Sequence, residues 1–166
     1  MHGGTLNDIA IHAVNLLPWI TGLNIVKVAA ARTWNARLKE VPHFKEAAQC
    51  MLVMENGCGV LGDVSYLIPD SFNCHHPLYW ALVFWGSKGV IQHQKGTITF
   101  WKDGEDAPRT IKALPSAGNC LNSFINDIRG ISRVGELNTD EILLSTRQTL
   151  LIQEAADSGR TNVPLL

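Results

Sequence analysis

The chain has no excess of charge of either sign: fourteen lysines and arginines stand against fifteen aspartates and glutamates. That balance argues against nucleic acid as a partner and gives an anionic membrane little to attract. Charge is also scarce, at 17% of 166 residues against 46% apolar. Soluble domains carry about 25%, so part of this surface is expected to be buried against something else. No apolar run reaches the ~20 residues that span a bilayer, and the N-terminus lacks a signal-peptide pattern. The four cysteines, Cys50, Cys58, Cys74 and Cys120, contain no C-x-x-C pair, which removes support for a zinc ribbon or thioredoxin-type chemistry. Free thiols in a reducing cytoplasm are the plain reading, with disulfides left open. No internal repeat or low-complexity linker divides the sequence, so a single domain over 1–166 is expected.

Residues 57–62 read GCGVLG, the glycine spacing of a dinucleotide-binding loop. Such a loop needs a strand before it, a helix after it and an acidic residue about 20 positions on. AAQCMLVMEN supplies the strand, but DVSYLIPDSF is too rich in Tyr, Val and Pro to open a helix. LYWALVFWG has no carboxylate where the ribose acid belongs. Gly57 and Gly59 therefore read as the turn of a β-hairpin after Glu55-Asn56. GSKG at 86–89 lacks the Walker spacing and a following helix. Cys74-His75-His76 offers metal-ligand residue types, but adjacent residues rarely all reach one ion and no fourth ligand is suitably spaced. No metal site is expected.

Leu6, Ile9, Ala13, Leu16, Leu17 and Ile20 recur at threes and fours, predicting a helix from Thr5 to about Thr21. Thr5 and Asp8 fit a capping box with aspartate in place of Glu or Gln, and Gly22 suits the C′ position. Pro18 predicts a kink or an early end near Leu17. Then follow short runs rich in Val, Ile and aromatics: NIVKVAAARTW, AAQCMLVME, GVLGDVSYLI, LYWALVFWG, GVIQHQ and TITFW. Links as short as Lys95-Gly96 allow hairpins but no crossover helix, so the sheet is antiparallel. LYWALVFW, apolar on both faces, is expected to be central. Helices return over Ser116–Ile128, with Leu121, Phe124, Ile125 and Ile128 on one side, and from about Thr139 to Ser158, stopped by Gly159. Strands followed by helices make this an α+β domain: a mainly antiparallel open sheet with helices packed on one face.

The stretch richest in chemistry is the first, GGTLNDIAIH. Asp8 and His12 lie four apart on a helix and share a face. An imidazole that accepts a proton, beside a carboxylate that orients it or binds a hydroxyl, makes an acid/base pair. Spacing alone favours the plainer reading, with Asp8 as a helix cap and His12 as an ordinary surface or core histidine. Gly3 and Gly4, just before the helix, leave bare backbone that a ligand can approach closely.

GGTLNDIAIHAVNLLPWITG resembles the start of the C-terminal domain in the glucose–fructose oxidoreductase/inositol dehydrogenase/MocA family, with its glycine pair, its Asp and a His four residues later. NGCGVLGDVSYLIP resembles that family's hairpin and FWGSKGVI its next strand connection. NSFINDIRG resembles its penultimate helix, and LLSTRQTLLIQEAADSGRTNVPL its final helix and tail. The resemblance spans nearly the whole chain, and the order of motifs carries it more than any one of them.

It implies a sugar, cyclitol or related polyol as substrate and NAD or NADP as cofactor, with Gly3 and Gly4 beside the cofactor. It further implies His12 as the base that takes the alcohol proton while hydride passes to the nicotinamide, with Asp8 beside it. Asn15 stands where the family often has another Asp; it can hydrogen-bond a hydroxyl but cannot act as a base. The family's loop near PDSFNCHHP approaches the substrate, which makes His75 and His76 candidate contacts, and Arg32, Trp34 and Asn35 at the end of the first strand candidates to line the same pocket. A homo-oligomer through the outer sheet face and a cytoplasmic location go with the resemblance. The family's N-terminal Rossmann domain and its E-K-P lysine have no counterpart here. The expectation is thus the C-terminal half of a dehydrogenase, inactive alone; a non-catalytic oligomerisation or ligand-binding module is the alternative.

Overall fold

The computed structural model describes residues 4–72, 79–112, 120–131 and 135–166. Its strands are β1 (Ile25–Trp34), β2 (Ala47–Met54), β3 (Gly59–Ser65), β4 (Leu82–Gly86), β5 (Gly89–Gln94), β6 (Thr97–Lys102), β7 (Arg109–Lys112) and β8 (Val163–Pro164). A π-helical turn, Leu6–Ala10, runs into α1 (Ile11–Thr21); α2 (Cys120–Ile128) and α3 (Thr139–Ser158) follow the strands. The chain forms two compact units, Met1–Leu67 with Gly118–Leu166, and Ile68–Ala117.

In the first unit the sheet order is β3-β2-β1-β8, all antiparallel. Alternation along β2 sends Ala48, Cys50, Leu52 and Met54 inward, where they meet Ile25 and Val28 of β1. Leu6, Ala10 and Val14 of the first helix, Ile152 and Ala155 of α3, and Leu165 close the same core. Each large side chain buried there contributes about 1.5–3 kcal/mol. The polar Gln148 is buried with them because its Nε2 donates to the Ile25 carbonyl at 2.9 Å. The helices of this layer thus pack on one face of an antiparallel sheet, as the α+β reading expects. GCGVLG turns the β2–β3 hairpin: Gly57 has φ +86°, its N–H reaches the Met54 carbonyl at 2.9 Å, and no helix follows.

Two details of the first helix differ from the sequence reading. Thr5 is not a cap, because its own backbone is helical (φ −64°, ψ −27°) and its side chain makes no capping bond. The role passes to Gly4, whose carbonyl accepts from Asp8 N at 3.2 Å. Pro18 does not end the helix near Leu17; α1 continues to Thr21, where Gly22 N donates to the Pro18 carbonyl at 2.8 Å. Proline removes only its own N–H, and so close to the C-terminus one lost bond is tolerated. Gly22 closes the helix in the left-handed region (φ +68°), as expected. At α3 the capping box is complete: Asn138 Oδ1 accepts from Glu141 N, and Glu141 returns the bond to Asn138 N.

The second unit holds a sheet of order β4-β5-β6-β7. Lys95 (φ +49°) and Gly96 (φ +71°) make the two-residue turn between β5 and β6, the twist-matched geometry that requires positive φ at both positions. Among the described residues the strands sort into two four-stranded sheets, and LVFWG is an edge strand of the second, not a central one. Central apolar strands are hidden because helices cover both faces of the sheet. Among the described residues of this unit the only helix is the single turn Asp70–Phe72, so Trp85 stays 82% exposed.

Candidate functional site

Gly4 is buried, and a Cβ placed on it would stand 2.7 Å from the Lys45 carbonyl oxygen and 2.9 Å from Lys45 N. The bareness of Gly4 is thus taken up by the segment leading into β2. Thr5 N donates to the same Lys45 carbonyl at 2.8 Å, stitching the helix start to that segment. The next residue, Glu46, accepts through its carbonyl from Tyr66 N at 2.8 Å. The inner row of β3, Val60, Gly62 and Val64, is continued by Tyr66, which brings its ring to the helix side of the sheet. There the Tyr66 hydroxyl donates to Asp8 Oδ2, and the ring packs 5.6 Å from Phe44 at a 39° tilt. Burial, then the hydrogen bond to Asp8 and its negative charge, push the phenol up to about 12, so Tyr66 is a neutral donor at any physiological pH.

Glu46, a fully buried carboxylate, holds the neighbouring loop in shape. Its Oε1 accepts from the backbone N–H groups of Ala36 (2.5 Å), Arg37 and Leu38 (3.4 Å), while Asn35 Oδ1 accepts from Glu46 N at 3.0 Å. The Arg37 amide foremost, with those of Ala36 and Leu38 and the Arg37 charge, holds the carboxyl below its ordinary range against the opposing effect of desolvation. One carboxylate thereby fixes the loop that joins β1 to the segment under the helix.

Asp8 and His12 are both exposed, Asp8 on the π-helical turn and His12 in the first turn of α1. π turns inside helices are frequent at functional sites, where the extra residue re-aims a side chain. Asn15, three residues beyond His12, lines a hollow of about 200 Å³ between α1 and α3, together with Trp19, Asn24, Glu141 and Ser145. Thr33 donates to Asp157 of α3 at 3.3 Å, so Arg32 and Trp34 face the side of the sheet away from the helices. They meet each other there, the Arg32 guanidinium 4.5 Å from the Trp34 ring centroid, and are not brought to Asp8 and His12. Gly3, His75 and His76 lie outside the described residues. The sequence reading missed Tyr66 and Glu46. A period-2 count through β3 would have put Tyr66 on the core side, and Glu46 is a lone carboxylate opening the apolar run AAQCMLVM.

Residues 1–92 match the family model of the GFO/IDH/MocA C-terminal domain. The chain belongs to that family. A search of curated proteins finds no match. Among solved structures, a Thermotoga maritima protein described as an oxidoreductase is 22% identical with a TM-score of 0.77, over 96% of this chain and 47% of that one. An Agrobacterium radiobacter oxidoreductase, solved with NAD+, L-tartaric acid and magnesium, is 18% identical with a TM-score of 0.71 (95% and 48% covered). The aldose-aldose oxidoreductase of Caulobacter crescentus, solved with glycerol, is 20% identical with a TM-score of 0.70 (97% and 48%). At these identities the likeness establishes the fold, and this Gfo/Idh/MocA domain spans about half the length of each.

The one stretch with dinucleotide-loop spacing is a hairpin turn, and the space at Gly4 belongs to Lys45. What the Gfo/Idh/MocA domain offers is an exposed imidazole and a carboxylate on one helix, the carboxylate bonded to a neutral phenol. Such an arrangement can bind a hydroxyl and accept its proton.

Proposed function

We propose that this domain carries the substrate-binding and acid/base residues of an NAD(P)-dependent oxidoreductase that acts on a secondary alcohol of a sugar, cyclitol or related polyol. The observation that supports it most is Asp8 and His12 on one exposed helical surface, with Asp8 bonded to Tyr66. In this reading the substrate O–H gives its proton to the His12 imidazole as the C–O bond becomes a carbonyl, while Asp8 orients His12 or the hydroxyl. The nicotinamide, held by a nucleotide-binding domain outside these residues, supplies the hydride acceptor when bound. Asn15 and the histidines of 75–76 are further candidates for hydroxyl contacts. The names of the neighbours, an aldose-aldose oxidoreductase and an enzyme solved with NAD+ and L-tartaric acid, are in keeping with hydroxylated substrates.

The test is to supply a nucleotide-binding domain, fused or in trans, and compare turnover of the parent with His12→Ala. A proton-transfer residue is worth roughly 10²–10⁴-fold. A loss of that order supports the assignment; equal turnover removes His12 from the mechanism and favours a non-catalytic assembly module.

A further inference from the structure

We propose that Tyr66 is a positioning residue for Asp8: its hydroxyl fixes the direction of the carboxylate that serves His12. The inference rests on the reading of Asp8 and His12 as the acid/base pair. An exposed aspartate on a helix ordinarily exchanges between rotamers, and a carboxylate that wanders cannot hold an imidazole or a substrate hydroxyl in line. Here Asp8 Oδ2 accepts from Tyr66, a ring at the sheet edge whose own freedom is small. The backbone N–H of Tyr66 is bonded to Glu46, and its ring lies against Phe44.

The helix that carries Asp8 starts on the residue beside that anchor, through Thr5 N and the Lys45 carbonyl. Donor and acceptor are therefore tied to neighbouring residues of one segment, and the sheet sets their separation. Glu46 adds rigidity from below by holding the 36–38 backbone. A phenol raised to about 12 keeps its proton through turnover, so Tyr66 orients the carboxylate and does not relay protons itself.

Two measurements test this. In the full chain, tyrosine labelled with ¹³C at Cζ reports the Tyr66 titration, and Asp8→Asn is expected to move it to lower pH; an unmoved titration overturns the pairing. In the enzyme restored with a nucleotide-binding domain, Tyr66→Phe keeps the ring and removes only the hydroxyl. The expected result is a kcat lower by roughly ten-fold with KM little changed, and almost no further loss when Tyr66→Phe is added to Asp8→Asn. If Asp8→Asn lowers kcat but Tyr66→Phe does not, positioning is overturned while the acid/base reading stands. An equal loss from Tyr66→Phe in both backgrounds also overturns it, because a merely structural role needs no Asp8. If Asp8→Asn itself is silent, the acid/base role of Asp8 fails and the proposal falls with it.

Discussion

Glu46 shows how one side chain can make a loop conditional on pH. Its carboxyl is held below the ordinary range, so in the native state it stays ionised in acid that would protonate it in the unfolded chain. The stability this contributes is present above the unfolded value of about 4.3 and is lost as pH falls through the lower native value. Glu46→Gln keeps one acceptor oxygen but removes the negative charge on which the three amides converge, and is expected to unfold at lower temperature than the parent at pH 7. The gap should close on acidification, as protonated Glu46 comes to resemble the amide. Thermal scans of both proteins from pH 7 to pH 2 test this, and a constant gap would show that the ionised form is not what the three amides hold. Tyr66 makes the complementary case at high pH. Only two tyrosines are present, so its titration is readily assigned with Tyr79→Phe. Asp8→Asn should lower the Tyr66 value without restoring an ordinary 10, because burial, the largest cause, remains.

Gly4 links those residues to the element that carries them. With φ +75° and the Lys45 backbone where a side chain would start, Gly4→Ala must both adopt a left-handed conformation and push the helix away from its anchor. Overpacking of this kind costs about 1–3 kcal/mol, on top of the backbone strain. Gly22 provides the control: it has φ +68° but nothing within 4 Å of an added Cβ, so Gly22→Ala should cost only about 1 kcal/mol, for the conformation. Denaturant melts that ranked the two equally would mean that the Lys45 contact yields without cost. The same element shows what was legible from sequence. The apolar spacing of Leu6 to Ile20 and the stop at Gly22 follow from local periodicity and chirality, and both were readable. The π turn and the use of Gly4 in place of Thr5 were not, because they answer to Lys45, some forty positions away. Asp8 and His12 were legible as neighbours on one helix; Tyr66 completes the cluster from another strand, and only the fold brings it there. Arg32 and Trp34 illustrate the converse, as strand parity turns them to the far face once Thr33 is seen to meet α3.

The whole molecule returns to the scarcity of charge. Each unit leaves apolar sheet surface uncovered, and the two are separate candidates for assembly. In the first unit the face turned away from the helices presents Met51, 51% exposed, paired with Leu61, 82% exposed. In the second, Trp85 is as exposed as Leu61, on the edge strand β4. Apolar surface of this kind, set in rows by strand pairing, is self-complementary when two copies meet about a two-fold axis. A homo-oligomer is therefore proposed, and the two faces can be told apart. Leu61→Lys places a charge at the centre of the β2–β3 surface, where burial in an interface would leave it unpaired; Trp85→Lys does the same at β4. Neither position is in the core, so both variants should keep the far-ultraviolet spectrum and melting behaviour of the isolated chain. If copies associate through the first sheet, sedimentation of Leu61→Lys at micromolar concentration should show monomer while Trp85→Lys still assembles. The reverse result assigns the interface to the second sheet, and a parent chain that is already monomeric at that concentration would remove self-assembly as the reason for the exposed faces.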